Sequence, residues 1–129
     1  MKPQRIIDYS LSKPGAYLDF PFGPDVLIVK VKASQGPGRI FAQVFMLKGE
    51  PCATFNCDMP TGELYRAAYP GTVTRGYHCP PVQQPYFNTV GLNGEVPDDV
   101  LLQMIDHSYA TVVAKLPKYA QKELAKLDG

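Results

Sequence analysis

A chain of 129 residues and 14.2 kDa, 45% hydrophobic and 19% charged, has the size of one domain and enough apolar residues to bury a core without disulfides. Thirteen basic against twelve acidic side chains leave a net charge of +1, which excludes a surface that acts as a polyanion-binding field as a whole. Any nucleic-acid contact must therefore be a local patch.

Residues 1–8 lack the apolar run of a secretory signal, and nowhere do about 18 apolar residues follow one another. The expectation is a cytoplasmic protein with no membrane partner. Three scattered cysteines, Cys52, Cys57 and Cys79, fit reduced thiols better than a disulfide framework.

In chain order, Ile6, Ile7, Ser10 and Leu11 fall at helical spacing, and Pro14-Gly15 supplies the stop, which predicts a short first helix. The Pro/Gly-rich stretch Pro14 to Asp25 reads as an ordered loop whose Phe20 and Phe22 fold back onto the core, because an exposed Phe pair would be sticky. Val26 to Ala33 alternates, with Leu27, Val29 and Val31 toward the core and Lys30 and Lys32 away from it. A turn at Gln35 to Gly38 leads to a second strand, Arg39 to Leu47, and Lys48-Gly49 turns the chain into a third, Cys52 to Cys57. Connections this short require antiparallel neighbours.

Asp58 stands where it can cap a helix with Pro60 in the first turn, Gly62 to Tyr69 carries that helix, and Pro70-Gly71 ends it. Thr72 to Tyr77 and Tyr86 to Leu92 read as two more strands, separated by the proline-broken stretch Cys79 to Pro85. From Val100 to Leu116 apolar residues keep one helical face for more than four turns, long enough to cover the sheet. Asp98 and Asp99 sit at the positive end of this helix's dipole, and Pro117 separates it from a basic helical tail, Tyr119 to Leu127. The expected architecture is α+β in two layers: one domain over 1–129, a five-stranded antiparallel sheet with helices on one face, in the order α-β-β-β-α-β-β-α.

Three groups of sequence words carry a resemblance. They are Pro14-Gly15-Ala16 with Pro21-Phe22-Gly23; Asn56-Cys57-Asp58, Tyr69-Pro70-Gly71 and Gly76-Tyr77-His78; and Asn88-Thr89-Val90, Leu92-Asn93-Gly94, Pro97-Asp98 and Asp106-His107-Ser108-Tyr109. In that order, over almost the whole chain, they resemble the MmcQ/YjbR family of small bacterial proteins. The resemblance implies a two-layer fold like that of secretion chaperones, and DNA binding, as members are commonly described. Many relatives place a Lys and, two residues later, His-Trp before the last strand; here the matching positions are Gln84, Tyr86 and Phe87, so a cation and an imidazole are missing.

Two groups of residues are candidate sites. Lys30, Lys32 and Arg39 flank one hairpin, and a basic two-stranded ribbon can lie along a DNA groove with its cations on phosphates; the alternative is a solvated strand face. Arg75, Tyr77, His78, Tyr86, Phe87 and Tyr109 could gather to stack bases or a planar ligand, or else close the sheet–helix core with hydrogen-bonded tips. Asp106, His107 and Ser108 are neighbours on a helix, pointing about 100° apart, and cannot align as a catalytic triad. Cys57, His78 and Cys79 lack the paired spacing of a zinc site, and Gly36-Pro37-Gly38 lacks the spacing of a phosphate loop. No metal or cofactor is implied. The reading is a non-enzymatic binding module with weak DNA binding through the basic hairpin, or alternatively a protein-interaction or chaperone-like domain that uses the outer sheet face or exposed aromatics. Oligomeric state is not legible.

Overall fold

The computed structural model describes residues 1–77 and 79–128. Its elements are α1 (Pro3–Leu11), β1 (Ala16–Asp19), β2 (Leu27–Val31), β3 (Arg39–Leu47), β4 (Glu50–Asn56), α2 (Met59–Ala68), β5 (Val73–Arg75), a 3-10 turn (Gln84–Tyr86), β6 (Phe87–Gly91), α3 (Asp98–Val113) and α4 (Lys118–Asp128). The sheet is antiparallel throughout, as the short connections require, but it has six strands rather than five, in the order β1-β2-β3-β4-β6-β5. The extra strand, β1, lies inside the segment expected to be a loop. Its four residues, between Gly15 and Pro21, are too few to show an alternation.

Local chemistry accounts for most boundaries. Lys48 and Gly49 both take positive φ, 51° and 81°, the conformation a two-residue hairpin turn needs to match strand twist. Asp58 accepts a hydrogen bond from the Thr61 N–H at 2.8 Å and caps α2, while Pro97 precedes α3 and Asp98 and Asp99 occupy its first turn.

Register sorts the side chains into two faces. Asp19, Ile28, Gln43, Thr54, Thr89 and Thr74 lie directly opposite one another across all six strands. The next row is Leu18, Val29, Ala42, Phe55, Asn88 and Arg75. Helices α1 and α3 cover the second row, whose Val29, Ala42 and Phe55 join Ile6, Leu101, Ile105 and Val112 in the core. Ala120 and Leu124 bring α4 onto the same core.

A bulge shifts the register between Val29, opposite Ala42, and Lys30, opposite Ile40. Phe41 is the extra residue, and both it and Ala42 are fully buried. The Ser108 hydroxyl from α3 donates to the Phe41 carbonyl at 2.5 Å and accepts the Asn56 N–H at 2.8 Å, while the Tyr109 ring meets Phe41 edge-on at 5.3 Å. These contacts lock α3 to the bulge.

Candidate functional site

Among the described residues no helix lies over the first row, and the face it forms is only partly covered. Over β4 and β6 the chain itself returns: Gly76, where a Cβ would lie 2.6 Å from Phe87 and 2.8 Å from the Cys79 sulfur, lets the backbone fold tightly at the end of β5. Tyr77 then lies on this face, its N–H donating to Thr89 Oγ1 at 2.8 Å and its ring stacked on Phe45 at 6.3 Å and 17°. Thr54 and Thr89, joined by a 2.9 Å hydrogen bond, are thereby buried.

Between that flap and the loop before β2 an open groove of about 920 Å³ remains, lined by Phe22, Asp25, Val26, Ile40, Gln43, Phe45, Met46, Tyr77 and Cys79. Its floor is β3, with Ile40, Gln43 and Phe45 on the outer face. Phe22 is 66% exposed, Met46 61% and Tyr77 42%; Phe20, nearby in sequence, is exposed too. The expectation that Phe20 and Phe22 fold back onto the core is therefore wrong: their segment runs beside the sheet face that carries no helix. Burial pushes the Cys79 thiol up, so this thiol at the groove stays protonated at neutral pH.

The basic ribbon is not assembled as one surface. Lys30 lies on the outer face and pairs with Asp19 at 2.9 Å; that hydrogen bond raises the ammonium's pKa and lowers the carboxylate's. The Lys32 ammonium sits 5.3 Å from the centre of the Tyr17 ring. Arg39 stands opposite Val31, a core residue, so its side chain starts on the helix-bearing face. The bulge at Phe41 is the reason, since it shifts the parity of Arg39 and Ile40 relative to the rest of β3.

The aromatic group is not gathered either. Tyr77 is on the outer face, Arg75 starts on the opposite one, and Tyr86 and Phe87 lie at the start of β6. Tyr109 is on α3, where its hydroxyl donates to the Pro14 carbonyl at 2.6 Å. His78 lies outside the described residues.

Asp106, His107 and Ser108 diverge as helix geometry requires. Asp106 accepts from Tyr9 at 2.7 Å and pairs with Lys13 at 2.5 Å; His107 Nε2 accepts the Asp58 N–H at 3.3 Å; Ser108 serves the bulge. Burial pushes the Cys57 thiol up to about 11, although the neighbouring Arg66 opposes it. A void of about 10 Å³ beside Cys57 and His107 has room for about one water. Among the described residues no group of three or more His, Cys, Asp or Glu could hold a metal ion, and no helix is long and apolar enough to cross a membrane.

The sequence reading missed the groove residues Phe22, Asp25, Val26, Ile40, Phe45 and Met46. The signal was the adjacent apolar residues of β3, Ile40 to Ala42 and Val44 to Leu47 on either side of Gln43, which mark a strand with apolar groups on both faces. Also unanticipated is the outward stripe of α4: Lys118, Lys122 and Lys126, at i, i+4 and i+8, are exposed opposite the buried Ala120 and Leu124. Glu123, the acid between them, turns inward and holds the Ser34 N–H and hydroxyl at 2.5 and 2.6 Å, which keeps its pKa low.

A family model described as YjbR matches residues 11–111. The chain belongs to the MmcQ/YjbR family. Two relatives, each named uncharacterized protein YjbR, from Escherichia coli K12 and O157:H7, are 25% identical over 127 residues, which span 98% of this chain and 100% of theirs. The crystal structure of Deinococcus radiodurans protein DR2400, a DUF419 domain, superimposes with a TM-score of 0.83 at 27% identity, covering 95% of this chain and 86% of that one. A Pseudomonas syringae protein of 18% identity shares the fold, with a TM-score of 0.65 over 84% of this chain and 96% of its own. The family model establishes kinship and the solved structures establish architecture; the names they carry assign no activity.

Proposed function

We propose that this member of the YjbR family is a non-enzymatic binding module that takes an apolar segment of another protein on the helix-free face of its sheet. The observation that carries the reading is the groove of about 920 Å³ floored by Ile40 and Phe45 and flanked by Phe22, Met46 and Tyr77. Phe and Met side chains left in water forfeit about 1.5–3 kcal/mol each of the free energy that full burial would supply, which a partner recovers by covering them. Aromatic and methionine side chains are also the types enriched at interfaces, and methionine adapts its shape to what it meets. The non-enzymatic part is supported by the divergence of Asp106, His107 and Ser108 and by protonated thiols at Cys57 and Cys79.

The test is a titration of isotopically labelled protein with apolar synthetic peptides, read by amide chemical shifts. Shifts are expected to concentrate at Phe22, Val26, Phe45 and Tyr77, and Met46→Glu, a change at an exposed site, should weaken binding about tenfold while leaving the melting temperature unchanged. Peptides that shift no groove residue would remove the proposal.

DNA binding through the β2–β3 hairpin is a second reading, favoured by the lack of an ion-pair partner for Lys32 and Arg39 among the described residues. Two phosphate contacts correspond to a log–log salt slope of about −2. Duplex titration at two salt concentrations should then show weak binding that vanishes in a Lys32→Ala, Arg39→Ala double variant; binding indifferent to both changes would discard the hairpin.

A further inference from the structure

Charge at the groove narrows the chemistry of its occupant. Of the nine lining residues, Asp25 is the one that carries a charge, and neither Lys nor Arg lines the groove. Asp25 is exposed and has no hydrogen-bond or ion-pair partner among the described residues. The carboxylate of Asp19, on the same face, is already engaged: Lys30 holds one oxygen at 2.9 Å and the Phe20 N–H donates to the other at 2.8 Å. The Lys30 ammonium is thus committed to Asp19 and leaves the Asp25 charge uncompensated. An anionic occupant, whether a fatty acid, a phosphate chain or an acidic peptide, would set its charge beside Asp25.

Resting on the groove reading, we infer that the partner segment is a basic apolar peptide, with hydrophobic side chains on Ile40, Phe45 and Met46 and a Lys or Arg facing Asp25. The long stem of such a residue suits the site, because its methylenes lie along apolar surface while the charged head stays at the wet rim where Asp25 is. The stacked Phe45 and Tyr77 rings add an aromatic surface that favours a cation over an anion.

Two fluorescent peptides decide the matter: one apolar core flanked by lysines, and the same core flanked by glutamates, titrated against the full chain at low salt by anisotropy. The wild type should prefer the lysine peptide by about three- to fivefold, the range of an exposed ion pair. Asp25→Lys, at an exposed position, should reverse the order, and 0.5 M salt should shrink the difference. If neither peptide binds the wild type, the groove reading itself falls. If both bind equally, or the preference survives Asp25→Lys, the charge assignment falls and the groove reading stands. Binding of monomeric dodecylammonium as tight as that of the lysine peptide, and competitive with it, would overturn a peptide partner in favour of a small cationic amphiphile.

Discussion

Replacing Ser108 with alanine deletes one oxygen atom from a site with no solvent access, and two backbone groups lose their side-chain partner with it. The Phe41 carbonyl at the bulge loses the hydroxyl donor at 2.5 Å, and the Asn56 N–H at the end of β4 loses its acceptor at 2.8 Å. A buried polar group left unsatisfied costs about 1–3 kcal/mol, so the pair is expected to cost about 2–6 kcal/mol. Against a typical domain stability of about 5–15 kcal/mol, that is a large fraction, equivalent to a fall of about 8–24 °C in Tm for a chain of this size. Urea denaturation at pH 7 measures it as a lower midpoint at unchanged slope. Ser10 provides the internal control: it is equally buried, but its hydroxyl donates at 2.7 Å to the Ile6 carbonyl one turn back in the same helix. Ser10→Ala should cost less than about 1 kcal/mol, because a helical carbonyl has its own N–H donor. A Ser108→Ala variant within 0.5 kcal/mol of wild type, or one less harmful than Ser10→Ala, would refute the view that α3 holds the bulge through this hydroxyl.

Two further predictions use protonation. At the α1–α3 contact, burial alone would lower the Lys13 pKa, but Asp106 outweighs it and the net shift is upward; Tyr9 is also raised, chiefly by its hydrogen bond to Asp106. Both groups keep their protons longer in the folded state, so their stabilisation is complete below the unfolded values of about 10–10.4 and is lost as pH rises through the raised folded ones. Urea midpoints of wild type should fall between pH 10 and pH 12 more steeply than those of Asp106→Asn, and parallel curves would count against the contact. For Cys57, a thiol pushed up to about 11 by burial has about one thiolate in a thousand at pH 8, so a disulfide reagent should label the partly exposed Cys79 first and Cys57 last. Labelling of Cys57 within seconds in native buffer would contradict its burial.

Where side-chain chemistry is local, the sequence is sufficient. Asp58 and Pro60 announce α2, Lys48-Gly49 announces a hairpin, and the long apolar face from Val100 announces α3, because each signal acts within a few residues of the element it creates. The family read from the sequence words is likewise borne out by the family model over residues 11–111. The two candidate groups are not gathered on one surface, for a non-local reason. Lys30 and Arg39 look like neighbours on one ribbon, yet a single extra residue at Phe41 sends them to opposite faces, and nothing within β3 distinguishes a bulged Phe from a regular one. Similarly, Tyr77 and Tyr109 both read as ring residues near the final helix, but one is folded beneath the sheet by Gly76 while the other meets Phe41 above it. The groove arises only when residues 22, 45 and 77, far apart in sequence, converge.

The lateral borders of the sheet are β1, with four residues, and β5, with three. Unpaired N–H and C=O groups along such margins are where foreign strands ordinarily attach, and margins this brief give an incoming chain few ladder bonds to form. Strand addition, the usual route by which open sheets recruit peptides and also by which they polymerise, is thereby poorly supported at either side. On the proposed reading a visitor's free energy comes from side chains meeting the broad surface, through shape, solvent release and the charge at Asp25, rather than from added ladder bonds.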